Sequence, residues 1–338
     1  MMKPAQPPAP PPRTARRRLL RTLAGASVAV PLAWPLGSRA AEPPLRLLVG
    51  FPPGGGTDAI ARLLADKLQP LLGRTVLVDN RAGAGGQLAA QALKAAVPDG
   101  HTLLLSHDHT VSILPLVLKN PGFDPEQDFI AVAGFASFAN AMALSSSTPA
   151  PSLPAFLAWV RQKQASRGTV GVPALASVPE FLVQALARQA RLDLVAVPYR
   201  GSAPMLQDMI GGQIPAGVGS VPDFIDHHHA GRVRIVAVMG RSRQDMLPEV
   251  PTLAESGLPG FEALPYYGLF APAGTPRTAL LGVVGALEKA LEQPVLRERL
   301  TALGLTVALR SAAELTAYER SHRAGWARLI RASGFVPQ

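Results

Sequence analysis

From Leu45 onward the chain alternates short apolar runs with longer stretches in which apolar residues return every three or four positions. The short runs read as buried strands and the longer stretches as amphipathic helices, so their alternation predicts α/β layers around parallel strands. The first unit is the run 45–50, a turn Phe51-Pro-Pro-Gly-Gly-Gly-Thr-Asp58, and then Ile60, Leu63, Leu64, Leu68, Leu71 and Leu72 at helical spacing up to Gly73. A strand over 75–78, the turn Asn80-Arg-Ala-Gly-Ala-Gly-Gly86 and an Ala-rich helix over 87–96 repeat the scheme, and Pro98-Asp99-Gly100 turns into a strand over 101–105. The middle of the chain does the same: a helix from Leu153 capped by Ser152, a strand over 169–172, helices over 179–190 and 203–210, and strands over 194–197, 214–218 and 233–238. The tail reads as helical. Ser311-Ala-Ala-Glu314 fits a capping box, and Leu315, Tyr318, His322, Trp326, Leu329 and Ile330 make one apolar face, with His322 a core or boundary residue of it.

The turn after the first strand is where chemistry enters. Gly54, Gly55 and Gly56 lack side chains, so their N–H groups can approach a bound group closely, and the following helix start adds unpaired N–H groups and the positive end of its dipole. An anion is the natural guest. Such a start contributes about 0.3–1 kcal/mol to an exposed anion and up to ~2 when partly buried, whereas micromolar binding needs about 8 kcal/mol, so the turn is only part of a site. A phosphate loop is excluded because no Lys-Ser or Lys-Thr pair follows the glycines. A dinucleotide fingerprint survives, since Gly54, Gly56 and Ala59 imitate G-x-G-x-x-A and Asp79 stands where a ribose-binding acid would. A turn whose glycines only let helix and strand pack is the third reading. The second glycine turn, at the next parallel strand, is expected on the same rim, where open α/β sheets bind ligands.

Charge and composition narrow the classes. The first 40 residues hold a Pro-rich leader, the basic stretch Arg16-Arg17-Arg18-Leu19-Leu20-Arg21, an apolar core over 23–36 and Ser38-Arg39-Ala40, the layout of a secretory signal removed near Ala40, similar to the twin-arginine type or an ordinary signal rich in Arg. They carry seven of the 33 Lys and Arg and no acid, so the remainder keeps 26 bases against 23 acids and its charge gives no footing for nucleic acid. Without cysteine there is no disulfide, thiolate metal site or thiol nucleophile. His107 and His109 flank Asp108 at alternate positions of an extended segment, which could aim both imidazoles at one ligand; a surface loop is the other reading, and a metal site lacks an evident third ligand nearby. His227, His228 and His229 are consecutive on a helix, point about 100° apart and read as a solvated helix end. No metal or other cofactor is expected.

With these segments in view, the chain resembles the Bug family of periplasmic solute-binding proteins, the receptors associated with tripartite tricarboxylate transporters. The resemblance spans nearly all of residues 45–335. It rests on Phe51-Pro-Pro-Gly-Gly-Gly-Thr-Asp58, Asp79-Asn-Arg-Ala-Gly-Ala-Gly-Gly86, Pro98-Asp-Gly-His-Thr-Leu103, Val197-Pro-Tyr-Arg-Gly-Ser-Ala-Pro204, Val250-Pro-Thr-Leu-Ala-Glu-Ser-Gly-Leu-Pro-Gly260 and Ala271-Pro-Ala-Gly-Thr-Pro276, in this order and spacing. It displaces the dinucleotide reading. It implies an α/β, two-lobed "Venus flytrap" of type II-like build, with a ligand cleft between lobes and two crossover segments. The lobes would be 41–143 plus 266–338 and 144–265. It also implies a monomeric receptor in the periplasm, without catalysis, for a small carboxylate or related compound, with the membrane components of the transporter as partners. A receptor serving a sensory kinase is the alternative, and an exported enzyme a remoter one, since neither H-E-x-x-H nor G-x-S-x-G occurs.

Carried over by position, Phe51 and Gly54 to Asp58 would line the first-lobe wall, with Gly55, Gly56 and Thr57 as polar contacts. Asp58 would either cap its own helix or meet a ligand amine. Gly85 and Gly86 would start a nearby helix, and Tyr199, Gly201 and Ser202 would come from the second lobe. This chain departs from the family at three places: Ser177 is the one hydroxyl of Val172-Pro-Ala-Leu-Ala-Ser177, Gly219 and Ser220 replace an acid and an amide, and His107-Asp108-His109 replaces small residues. These changes predict a less polar ligand, such as an aromatic or monocarboxylic acid.

Overall fold

Every side chain of β1 (Leu45–Val49) is buried except Arg46, because the strand lies inside a sheet covered on both faces. Leu45, Leu47 and Val49 pack with Ile60, Leu64 and Leu68 of α1 (Gly56–Leu72). Leu48 points the other way and joins the cluster that holds Ala89, Ala90 and Leu93 of α2 (Gln87–Lys94). That two-sided burial explains why the strand is apolar on both faces apart from Arg46, where a half-exposed strand would alternate. The computed structural model describes residues 42–162, 168–332 and 335–337. The secretory signal expected over residues 1–40 lies outside them.

The first sheet continues with β2 (Val76–Asn80) and β3 (Thr102–His107), both parallel to β1. Two short helices, α3 (Leu114–Val117) and α4 (Pro125–Asp128), lead to β4 (Phe129–Phe138). The chain then enters a second sheet through β5 (Asn140–Ser145). There it runs through α5 (Leu153–Gln162), β6 (Gly168–Val172), α6 (Val178–Ala190), β7 (Leu194–Pro198), α7 (Ser202–Ile210), β8 (Ala216–Ser220), α8 (Val221–His229) and β9 (Val233–Val238). It returns to the first sheet as β10 (Tyr266–Pro272) and ends with α9 (Arg277–Glu292), α10 (Pro294–Ala302), β11 (Leu305–Arg310) and α11 (Ala312–Ala332).

The strand orders are β11-β4-β10-β3-β1-β2 and β7-β6-β8-β5-β9. Each sheet is mixed. β10 runs antiparallel to β3 and β4, β11 antiparallel to β4, and β5 antiparallel to β8 and β9. The parallel strands are β1, β2 and β3 in one sheet and β6, β7 and β8 in the other, and an antiparallel strand inserts into each sheet where the chain changes lobes. The tail, expected to be helical, also contains the edge strand β11. The two passages between sheets lie side by side, with Phe138 N–H donating to Pro265 C=O at 3.1 Å.

Candidate ligand-binding site

The carboxyl ends of β1, β3, β6 and β8 meet across the gap between the sheets. Phe51 and Thr57 follow β1, His107, Asp108 and His109 end β3, residues 173–179 follow β6, and Ser220 with Asp223 starts α8. Phe138 and Asn140 from the passage between sheets, Tyr267 of β10 and Ser202 at the start of α7 complete the lining of a cavity of about 50 Å³. At roughly 10–15 Å³ for each water-sized occupant, that is room for a few atoms. The lobes therefore stand close together here.

The glycine turn is organised by Asp58. Its Oδ2 accepts the Gly54 N–H at 3.0 Å and Arg62 Nε at 2.9 Å, and its Oδ1 accepts Asn80 Nδ2 at 2.9 Å. Burial by itself raises a carboxyl, but the hydrogen bonds from Arg62, Gly54 and Asn80 outweigh it and hold Asp58 below its usual range. Asp58 thus braces the turn at Gly54, while α1 itself, with Gly55 at its N-cap, has no side-chain cap. Gly54 is exposed at φ +85°, and Gly86 packs against Gly50 and Thr110, where a Cβ would stand 2.3 Å from Thr110 Oγ1. Gly86 thereby joins the turns after β1 and β2, and neither it nor Gly54 lines the cavity.

The remaining candidates divide. Phe51, Thr57, His107, His109, Ser177, Ser202 and Ser220 line the cavity. Gly85, Tyr199 and Gly201 line an adjoining groove of about 300 Å³ that shares Phe51 and Ala174 with it. Tyr199 is turned toward α7, its hydroxyl donating to Asp208 at 2.7 Å. Gly55 and Gly56 face the second lobe: a Cβ on Gly55 would lie 2.9 Å from Ser202 Oγ, and the Gly56 N–H donates to Asp223 Oδ1 at 3.0 Å.

One wall is aromatic. Phe51 stacks on His107 at 4.9 Å, His107 meets the Tyr267 ring edge-on at 5.6 Å, and Phe138 lies 4.7 Å from Tyr267. Tyr267 also fixes Thr57, their oxygens 3.1 Å apart. Behind this wall Asp108 is buried between His107 Nδ1 at 3.4 Å and His322 Nε2 at 3.0 Å. Burial pushes its carboxyl up, yet hydrogen bonds from His107 and His322 hold it far below the usual range. His322 is accordingly a core residue, as its helical face predicted.

His107 and His109 do share the cavity, but not through strand alternation. β3 ends at His107, and His109 opens a π-helical turn (His109–Ile113) that brings its ring within 6.4 Å of the His107 ring. His109 is 5% exposed and neither ring nitrogen has a hydrogen-bond partner among the described residues. Burial, aided by the neighbouring His107, lowers its pKa to about 3, so the imidazole is neutral.

Sequence reasoning missed Asp223, Asn140, Phe138 and Tyr267. Asp223 had a signal: Ser220-Val-Pro-Asp223 is a capping box, and the structure forms it. The other three come from strands and the passage between lobes, with no local motif. Among the hydroxyls, Ser177 donates to Ala174 C=O at 2.7 Å and Ser202 and Ser220 donate to Asp223, which orders this wall.

A family described as tripartite tricarboxylate transporter family receptor matches residues 60–335. A UPF0065 protein from the tcbD-tcbE intergenic region of Pseudomonas sp. (strain P51) is 33% identical over 290 residues, 85% of either chain. Protein BugT of Bordetella pertussis (strain Tohama I) is 30% identical over 294 residues, 86% of this chain and 89% of BugT. Among solved structures, periplasmic binding protein BugD superposes with TM-score 0.83 at 29% identity, over 88% of this chain and 99% of its own. MatC from Rhodopseudomonas palustris with bound malate gives 0.79 at 29%, over 86% and 99%. An R. palustris protein with adipate gives 0.83 at 28%, over 88% and 99%.

Proposed function

Because the chain belongs to the tripartite tricarboxylate transporter receptor family, we propose that it binds a small organic carboxylate between its lobes and presents it to the membrane components of a tripartite transporter, acting in the periplasm without catalysis of its own. The leader over residues 1–40 would direct export and be removed near Ala40. The lobes would divide at residues 41–143 plus 266–338 and 144–265. Phe51, Gly55, Gly56, Thr57, His107, His109, Ser177, Ser202 and Ser220 would be the contacts at the cleft, with Gly85, Tyr199 and Gly201 beside it.

The observation that carries this reading is the cavity at the carboxyl ends of strands from both sheets, on a fold similar to a malate-bound and an adipate-bound protein. A site built from both lobes couples binding to closure, because a ligand that contacts both walls favours the closed form over the open one. Thermal unfolding against mono-, di- and tricarboxylates, aromatic acids and amino acids tests it. A ligand at 100 times its dissociation constant adds about 2.7 kcal/mol. A shift confined to one chemical class supports the receptor reading, and turnover of any bound compound would refute it.

A further inference from the structure

Four hydrogen bonds converge on Asp223. Its Oδ1 accepts the Gly56 N–H from across the cleft at 3.0 Å and the Ser202 hydroxyl at 2.6 Å. Its Oδ2 accepts the N–H and the hydroxyl of Ser220 at 3.0 and 2.7 Å. A carboxylate has about four such acceptor positions, so this one is saturated. A side-chain carboxylate thus already holds the start of α1, the place where the glycine turn offers its N–H to an anion.

The rest of the lining supplies no counter-charge. Among the described residues no Lys or Arg borders the cavity, and Asp108 adds a second acid to it. His109, buried with both nitrogens unpartnered, is held neutral by that burial. Thr57, Asn140 and the unpartnered ring N–H of neutral His109 remain as groups able to donate to one carboxylate, and the rings of Phe51, Phe138 and Tyr267 offer an apolar face to the remainder of a ligand. A second carboxylate enclosed here would be stripped of water beside Asp223 or Asp108 with no cation to offset it.

We propose that Asp223 is a specificity-determining residue: it fills one anion seat of the cleft from within the protein, so the receptor closes on ligands with a single carboxylate and an uncharged, ring-bearing or aliphatic remainder, and rejects dicarboxylates. This rests on the reading of the cleft as a carboxylate site. The relatives with malate and adipate hold dicarboxylates, so the exclusion is a property of this chain's own residues.

Calorimetric titration of the purified protein and of Asp223→Asn with two matched pairs, hexanoate against adipate and benzoate against benzene-1,4-dicarboxylate, tests it. The native protein is expected to bind the monocarboxylate of at least one pair ten-fold or more tightly than its dicarboxylate. Asp223→Asn, which frees a donor for the ligand and removes the charge, is expected to reduce that ratio at least ten-fold by tightening the dicarboxylate. Asp223→Ser serves as the second variant, and should both fail to fold, the native ratio alone decides. Equal affinities within each pair, or a ratio unchanged by substitution, overturn the role of Asp223 and leave the receptor reading standing. Silence from all four acids in both proteins overturns the carboxylate reading itself, and the proposal with it.

Discussion

Glu319 is a buried acid that the cleft does not use. It is 7% exposed on α11, with Oε1 3.5 Å from Ser112 Oγ and 3.6 Å from Arg323 Nε, a guanidinium that also pairs with Glu126. Burial pushes its carboxyl up to about 7, and the Ser112 hydrogen bond with the charges of Arg320 and His322 offsets only part of that. Its folded pKa lies above the ordinary 4.5, so between about pH 4.5 and 7 the folded chain keeps a proton that the unfolded chain has lost. Stability therefore falls as pH rises through that window. Glu319→Gln, which cannot ionise, is expected to gain on the order of 1–3 kcal/mol relative to the native protein at pH 8 and little at pH 4.5. Urea unfolding at both pH values checks it, and parallel pH profiles for the two proteins would sink it. Asp58 has the opposite sign, since its depressed pKa gives stability that is present above the ordinary carboxylate value and lost as pH falls through the folded one. Residues acting locally, as Asp58 does on Gly54 and Arg62, were legible in the sequence because their partners are four positions away. Asp223 and Tyr267 as site residues were not, because their partners Gly56 and Thr57 are more than 160 residues away in the chain.

At the scale of elements, what could be read depended on whether one local rule decided the outcome. α11 begins where its capping box stands: the Ser311 N–H donates to Glu314 Oε2 at 2.8 Å, and the Glu314 N–H donates to Ser311 Oγ at 3.3 Å. Ser311→Ala is expected to cost about 0.5–2 kcal/mol in urea unfolding, and a loss under 0.2 would mean that α11 is held by packing alone. The glycine turns were equally plain, and their purpose is tertiary as much as chemical. A Cβ on Gly50 would stand 2.5 Å from Gly86 Cα, so the turns after the adjacent strands β1 and β2 touch backbone to backbone. β4, β5, β10 and β11 escaped such rules. β4 and β5 are runs of small and apolar residues almost wholly buried, which fit a strand or a core helix equally, and β11 is an edge strand in a region rich in helix formers. Their antiparallel placement follows from partners more than 30 residues away, such as β10 on β4, which no local pattern encodes.

For the whole molecule, the two-lobed form came from the resemblance, while periodicity alone reached only α/β units. The structure adds what joins the lobes. On one side of the cleft the seam is polar, the Gly56 N–H on Asp223. On the other it is apolar: Phe181 of α6 stacks on Trp326 of α11 at 6.3 Å and meets Phe335 edge-on at 5.6 Å. Opening about the paired passages at Phe138 and Pro265 must break both seams. The polar one gives up a hydrogen bond to a carboxylate, about 1.5–3 kcal/mol, and separating the rings exposes apolar area at about 25 cal/mol per Å². The apolar seam therefore contributes to the preference for closure. Phe181→Ala is expected to shift the ligand-free protein toward the open form, seen as a larger radius of gyration in X-ray scattering. It should weaken ligand binding by about ten-fold, equivalent to 1.4 kcal/mol, because part of the binding energy must then drive closure. Far-ultraviolet circular dichroism identical to the native protein establishes that both lobes remain folded in the variant. If the radius of gyration and the affinity both stay at their native values, closure is governed by the polar seam, and Asp223 would be the residue that sets both the ligand's charge and the lobes' position.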